Sequence, residues 1–192
     1  MTMIHAVHHS EAGREPKLLA RLLLIVLLVP LVLSTGCSLF GPKYVIPPRN
    51  SAREQAQTAD LQYRVAQNTI DPKTRVVEMK KAAAAFEEVA KRFPNDRVYT
   101  PASLLMVGDI YYQIQDFRRA EMAHRRTLAK YPDIPEIRAG ALQGLGESLI
   151  ELKRYTEGNE KLQTLVDEFG QSEDPTIRPR LARARTALQR VR

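Results

Sequence analysis

Cys37 is the only cysteine in the 192-residue chain. It follows Leu33-Ser34-Thr35-Gly36 at the end of an apolar run, Leu22 to Leu33. A thiol is the most nucleophilic neutral side chain, and with no second cysteine its chemistry here is modification rather than an intramolecular disulfide. Of the four histidines, His5, His8 and His9 lie near the start, which leaves His124 in the body of the chain. No Cys/His cluster has zinc spacing. Gly144 and Gly146 fall inside a helical pattern and do not form a phosphate loop. Glu147 and Glu151 are one helical turn apart, but no nucleophile accompanies them. The reading is no catalytic site, no metal site and no cofactor. The chemistry left is modification at Cys37 and non-covalent binding.

The elements that would position binding residues are helical. Ser51 with Glu54 three residues on reads as a capping box that opens a helix running to about Asn68. Asp71-Pro72 precedes a second helix, roughly 73–92, with Val76, Met79, Ala82, Ala83, Phe86 and Val89 on one stripe. Thr100-Pro101 reads as a cap and first-turn proline for a helix at about 101–114, followed by one at 116–131. A third pair is expected at 136–152 and 155–169. Asp174-Pro175 opens a last helix, with Ile177, Leu181, Ala184 and Leu188 on one stripe. Gly41-Pro42 and Pro47-Pro48 mark residues 37–50 as a flexible tether.

A shift of 38 residues superposes much of this pattern. Phe93, Tyr131 and Phe169 align, as do Ala82, Ala120 and Gly158, and Phe86, His124 and Leu162. Leu104, Val107, Gly108 and Tyr111 align with Leu142, Leu145, Gly146 and Leu149. Residues 101–132, with Leu104, Val107-Gly108, Tyr111, Ala120 and Pro132, carry spacing close to a tetratricopeptide repeat. Over roughly 51–190 the chain resembles that family, with four residues added to its usual period. The resemblance implies an all-α, tetratricopeptide-like α-solenoid of about three helix hairpins plus a C-terminal capping helix. It also implies that the first helix of each pair lines a groove for a protein or peptide partner. On matching positions the groove residues are Leu105, Asp109, Tyr112, Gln113, Gln143, Glu147, Ile150 and Glu151. Their carboxylates imply a basic or neutral peptide.

Lys17 and Arg21, the short apolar run and the small residues after it form a secretory signal pattern at 1–36. The run is shorter than the about 20 residues a membrane-spanning helix needs. Leu33-Ser34-Thr35-Gly36-Cys37 resembles the lipobox of bacterial lipoproteins, in which the cysteine becomes the acylated first residue of the mature chain. The alternatives are a buried free thiol and an uncleaved anchor. Lipobox and repeats together resemble the lipoprotein subunit of the outer-membrane barrel-assembly machine and the pilotins of type IV pili. This resemblance implies an envelope scaffold, membrane-bound through lipid and facing the periplasm. Ser38 after the cysteine resembles outer-membrane cargo.

The formal net charge is +7. Arg178, Arg180, Arg183, Arg185 and Arg190 crowd the last helix with no acidic residue after Asp174. That face is either a solvated cap or a patch for an anionic envelope polymer or lipid, distinct from the acidic groove. Nucleic acid is not an expected partner of an exported chain.

Overall fold

The computed structural model describes residues 44–190. The leader 1–36, Cys37 and the tether as far as residue 43 lie outside the described residues. Seven helices follow in order: α1 (Ala52–Asn68), α2 (Pro72–Arg92), α3 (Tyr99–Gln113), α4 (Phe117–Lys130), α5 (Pro135–Glu151), α6 (Tyr155–Phe169) and α7 (Arg178–Arg190). Among the described residues the fold is all-α, as the periodicity implies.

Local chemistry sets the ends. Ser51 Oγ accepts from the Glu54 amide at 3.2 Å, and the Glu54 carboxylate accepts from the Asn50 amide at 3.3 Å. The Asp71 carboxylate accepts from the Thr74 amide at 2.7 Å, and Pro72, which has no N–H to satisfy, begins α2. The start of α3 differs from expectation. Asp96, not Thr100, is the cap: its carboxylate accepts from the amides of Val98, Tyr99 and Thr100. Thr100 lies inside the helix and donates its hydroxyl to the Phe93 carbonyl at 2.7 Å. A carboxylate attracts the partial positive charge of a helix start more strongly than a hydroxyl does. Asp174 likewise caps a turn, through the Thr176 amide, and α7 proper begins at Arg178.

The 38-residue offset reappears in the backbone. Gln115 and Lys153 hold left-handed φ values of 62° and 65° in the turns after α3 and α5. The amides of Gln115 and Asp116 bond to the carbonyls of Tyr112 and Tyr111, and those of Lys153 and Arg154 bond to Ile150 and Leu149. Each helix packs on its successor. Among the odd-numbered helices α1 touches α3, α3 touches α5 and α5 touches α7, whereas α2, α4 and α6 do not touch one another. The array therefore bends with its odd helices on the inner face, where the groove residues lie.

The first pair departs from the period. Phe117 opens α4, so the same offset would open α2 at Met79, yet α2 starts at Pro72. The α1–α2 hairpin overhangs its neighbour by about two turns. Residues 44–50 form no helix or strand and are attached to α1 at buried Gln55, which accepts from the Arg49 amide at 2.9 Å and donates to the Pro47 carbonyl at 3.4 Å. Ile46 packs against the first core cluster. This part of the expected flexible tether is docked, because Gln55 satisfies the backbone groups that prolines leave unpaired.

One apolar cluster gathers Ala59, Met79, Ala82, Phe86, Val107 and Ile110, and a second gathers Leu142, Leu162, Leu165, Ile177, Leu181 and Ala184. The apolar stripe of α7 thus closes on α5 and α6. Between α3 and α5 lies His124 of α4, with no exposed surface. A Cβ at Gly108 would stand 2.6 Å from its Nδ1, and a Cβ at Gly144 would stand 2.8 Å from its Cδ2. The imidazole fills the space that two missing side chains leave. Gly→Ala inside a helix ordinarily stabilises by about 1 kcal/mol. Gly144→Ala is expected to do the opposite and destabilise by about 1–3 kcal/mol through overpacking, as read by urea denaturation. His124→Ala in the same chain should remove most of that penalty.

Candidate binding cleft

The inner face is built from α3, α5 and α7. Tyr112, Glu147, Ile150 and Glu151 form one wall of a cleft of about 500 Å³, and Ala182, Arg183, Thr186 and Ala187 of α7 form the other. Tyr112 is held edge-on by Phe117, with ring centroids 5.4 Å apart. Burial pushes its hydroxyl pKa up to about 12, and Glu147 and Glu151 add to the shift. Gln113 donates to the Tyr63 hydroxyl at 2.8 Å, tying the inner edge of α3 to α1.

Not every expected groove residue is available to a ligand. Leu105 is 6 % exposed and Gln143 4 %. Leu105 packs over Gly140, where a Cβ would come within 2.7 Å of its Cδ2. Gln143 donates to Glu147 at 2.8 Å and accepts from Arg180 at 3.3 Å. Both residues are on the inner face, but as its floor. Asp109, Tyr112, Glu147 and Ile150 are partly exposed, and Gln113 and Glu151 are exposed.

Two of the α7 arginines turn toward the inner face, while Arg178 and Arg185 are exposed elsewhere. Arg180 crosses α5 above Gly140, where a Cβ would meet its guanidinium at 3.0 Å. Arg180 and Arg183 line a smaller cleft with Asp109 and Gln143. Arg185 donates to the Gly170 carbonyl at 3.1 Å, and Arg178 lies 3.7 Å from Glu173. Arg190 closes α7, and its side chain lies outside the described ones. An arginine helix beside an acidic face lowers its energy by turning two guanidiniums toward that face.

Asp109 and His124 meet behind the cleft, with Nε2 3.7 Å from Oδ1. Burial lowers the His124 pKa to about 3, helped by Arg180, so the ring is neutral at pH 7 and neither nitrogen has a partner among the described residues. The contact is therefore not an ion pair. Burial raises Asp109 to about 6, Arg180 and Arg183 oppose the shift, and Glu147 supports it. Sequence reasoning missed α7 as the second wall. The alternation of small residues Ala182, Thr186 and Ala187 beside Arg183 was the available signal. Among the described residues no group of three or more His, Cys, Asp or Glu could hold a metal ion.

The tetratricopeptide repeat family model matches residues 141–172. The chain carries a tetratricopeptide-like repeat region. The match runs from Ala141 of α5 through α6, so Gln143, Glu147, Ile150 and Glu151 lie on the first helix of that repeat. No curated protein matches the chain. A repeat of this kind offers its inner face for contact with protein or peptide.

Asp109 carries a pH signature. Its folded pKa lies above the unfolded value, so stability is lost as pH rises from about 4 to about 6 and the cost is constant above. Asp109→Asn avoids that cost. With its side chain 32 % exposed, solvent screening reduces the expected gain to on the order of 1 kcal/mol at pH 7.5. The difference between variant and parent in thermal denaturation should vanish below about pH 4.

Proposed function

We propose that the protein is an envelope-anchored lipoprotein scaffold, and that its inner cleft holds a protein segment bearing a cationic side chain. One observation carries the binding half. Carboxylates away from the cleft are paired: Glu87 with Arg126 at 2.7 Å and Glu121 with Arg154 at 2.6 Å across repeats, and Glu168 with Arg138 at 2.6 Å within the third pair. Among the described residues Asp109, Glu147 and Glu151 form no ion pair with a Lys or Arg nitrogen within 4 Å, although Arg180 and Arg183 line the clefts beside them. They flank an aromatic ring and the aliphatic Ile150. A guanidinium or ammonium is attracted by such carboxylates and by the face of a tyrosine ring. Extended and helical peptides both reach such inner faces with a few anchoring side chains.

The anchoring half is supported by the signal pattern and by Leu33-Ser34-Thr35-Gly36-Cys37. Acyl chains on Cys37 would hold the repeats at the membrane through several lipid anchors, which stable attachment requires. Among the described residues no helix is long and apolar enough to cross a membrane. The periplasmic face of the outer membrane is the proposed location, and barrel or envelope assembly the proposed context.

A fluorescein-labelled peptide with arginine flanked by leucine and alanine should bind the protein. Glu147→Gln with Glu151→Gln should weaken it about tenfold, and Tyr112→Ala about as much. Equal binding of a glutamate-for-arginine peptide would refute the cationic ligand. Radioactive palmitate fed to expressing cells should label the parent protein and leave Cys37→Ser unlabelled. Equal labelling of both would remove the lipoprotein reading while leaving the cleft untouched.

A further inference from the structure

The overhang of α2 has a second consequence, on the edge of the array rather than its inner face. Pro72, Arg75 and Val76 project past Met79, the position where the repeat period would start the helix. Beneath them run the turn after α3 and the turn after α5. Two clefts open there, of about 600 and 440 Å³, and they share Val76, Ile114 and Gln115. They form one groove along the edge. Its apolar residues are Val76, Met79, Ile114, Phe117 and Leu152. Val76 is 36 % exposed, while Ile114, Phe117 and Leu152 are half-buried and recessed. The left-handed turn at Gln115 sets Ile114 in the floor of both clefts.

The charge of this groove differs from that of the inner cleft, where Arg183 faces Glu147 and Glu151. Arg75, Lys80 and Arg118 line it. Among the described residues none of the three has a carboxylate within ion-pair distance, although most other basic side chains of the helices do. The one acidic residue of the lining, Asp116, is already engaged. It accepts from the Arg119 amide and pairs with the Arg119 guanidinium, both at 3.2 Å.

We propose that this edge groove is a second docking surface, and that its occupant is an acidic, amphipathic segment of a partner protein. The charge selects the acid. Three unpaired cations around an apolar floor stabilise carboxylates that approach with aliphatic side chains between them. The shape selects polypeptide over a lipid surface. A bilayer interface takes up apolar groups that protrude, whereas here they lie in a concavity that receives side chains from outside.

The proposal does not depend on the ligand of the inner cleft. The probe is a short fluorescein-labelled helical peptide with leucine at i, i+3, i+4 and i+7 and glutamate elsewhere, titrated into the purified full chain and read by anisotropy. It should bind. Arg75→Glu with Lys80→Glu and Arg118→Glu should weaken it by about tenfold or more. Val76→Ser, at a partly exposed site the fold tolerates, should also weaken it. Glu147→Gln with Glu151→Gln should leave it unchanged, which separates the two surfaces. Absence of binding by the parent chain would overturn the proposal, and so would equal binding by the charge-reversed chain or equal binding of a lysine-for-glutamate peptide. Capture of the parent chain by phosphatidylglycerol vesicles, lost on charge reversal while the peptide stays unbound, would assign the groove to lipid and overturn it too.

Discussion

The architecture depends on how closely successive helices approach one another. A Cβ at Gly158 would stand 2.8 Å from the Gly146 carbonyl oxygen, so α5 and α6 meet backbone to backbone. Ala82 and Ala120 occupy the equivalent positions of the earlier pairs with no exposed surface. Where only a hydrogen or a methyl separates two helices, the larger residues on either side interlock at interior density. Leu104, Leu142 and Leu145 are buried in this way, and burying a leucine contributes about 1.5–3 kcal/mol. A lone hairpin could not exclude water from that seam. Contact of the odd helices with one another, while the even ones stay apart, turns this local packing into curvature and so into an inner face.

His124 shows how far the constraint extends. Its counterparts in the neighbouring pairs are Phe86 and Leu162, both apolar and both buried. An imidazole is shorter than a phenyl ring, and it is gripped between two helices through Gly108 and Gly144. The consequence is polar. Neither ring nitrogen has a partner among the described residues, and such a group costs about 1–3 kcal/mol when left unsatisfied. Asp109 faces the ring at 3.7 Å, and its own burial raises its pKa against the opposing charges of Arg180 and Arg183.

Much of this was legible in the sequence. The small residues at fixed spacing, the 38-residue offset and the bounds of most helices follow from side-chain size and periodicity, and the repeated left-handed residues at Gln115 and Lys153 show the same period in the backbone. The cap of α3 differs from the sequence expectation because two competent residues, Asp96 and Thr100, lie near its start, and only geometry decides between them. The buried stripe of α7 follows from its periodicity, but the direction of Arg180 and Arg183 does not. Sliding α5 forward by one more period puts Arg180 and Arg183 on Leu142 and Leu145, seam positions that arginine cannot fill. The helix instead rotates to bury Ile177, Leu181 and Ala184 and sends the two guanidiniums over the inner face. Pattern matching places a helix, but the desolvation cost of charge fixes its rotation. The clefts were not legible because each is lined by turns or helices from several repeats, and their relative placement is a tertiary quantity.

Charge on this molecule is sorted by face. Surface ion pairs are individually weak, and many contribute little to stability. Those that join Glu87 to Arg126 and Glu121 to Arg154 link neighbouring repeats, and that of Glu168 with Arg138 links the two helices of the third pair, so these carboxylates are consumed away from the cleft. The inner cleft is mixed, with Asp109, Glu147 and Glu151 facing Arg180 and Arg183 of α7, whereas the edge groove is lined by three cations that no carboxylate pairs among the described residues. Uncompensated charge of one sign raises the energy of the free protein by self-repulsion and lowers it again when a complementary surface arrives. A solenoid designed for stability alone would have spread its arginines evenly. The net charge of +7 therefore describes neither site, since one sets carboxylates against arginines and the other gathers cations around an apolar floor.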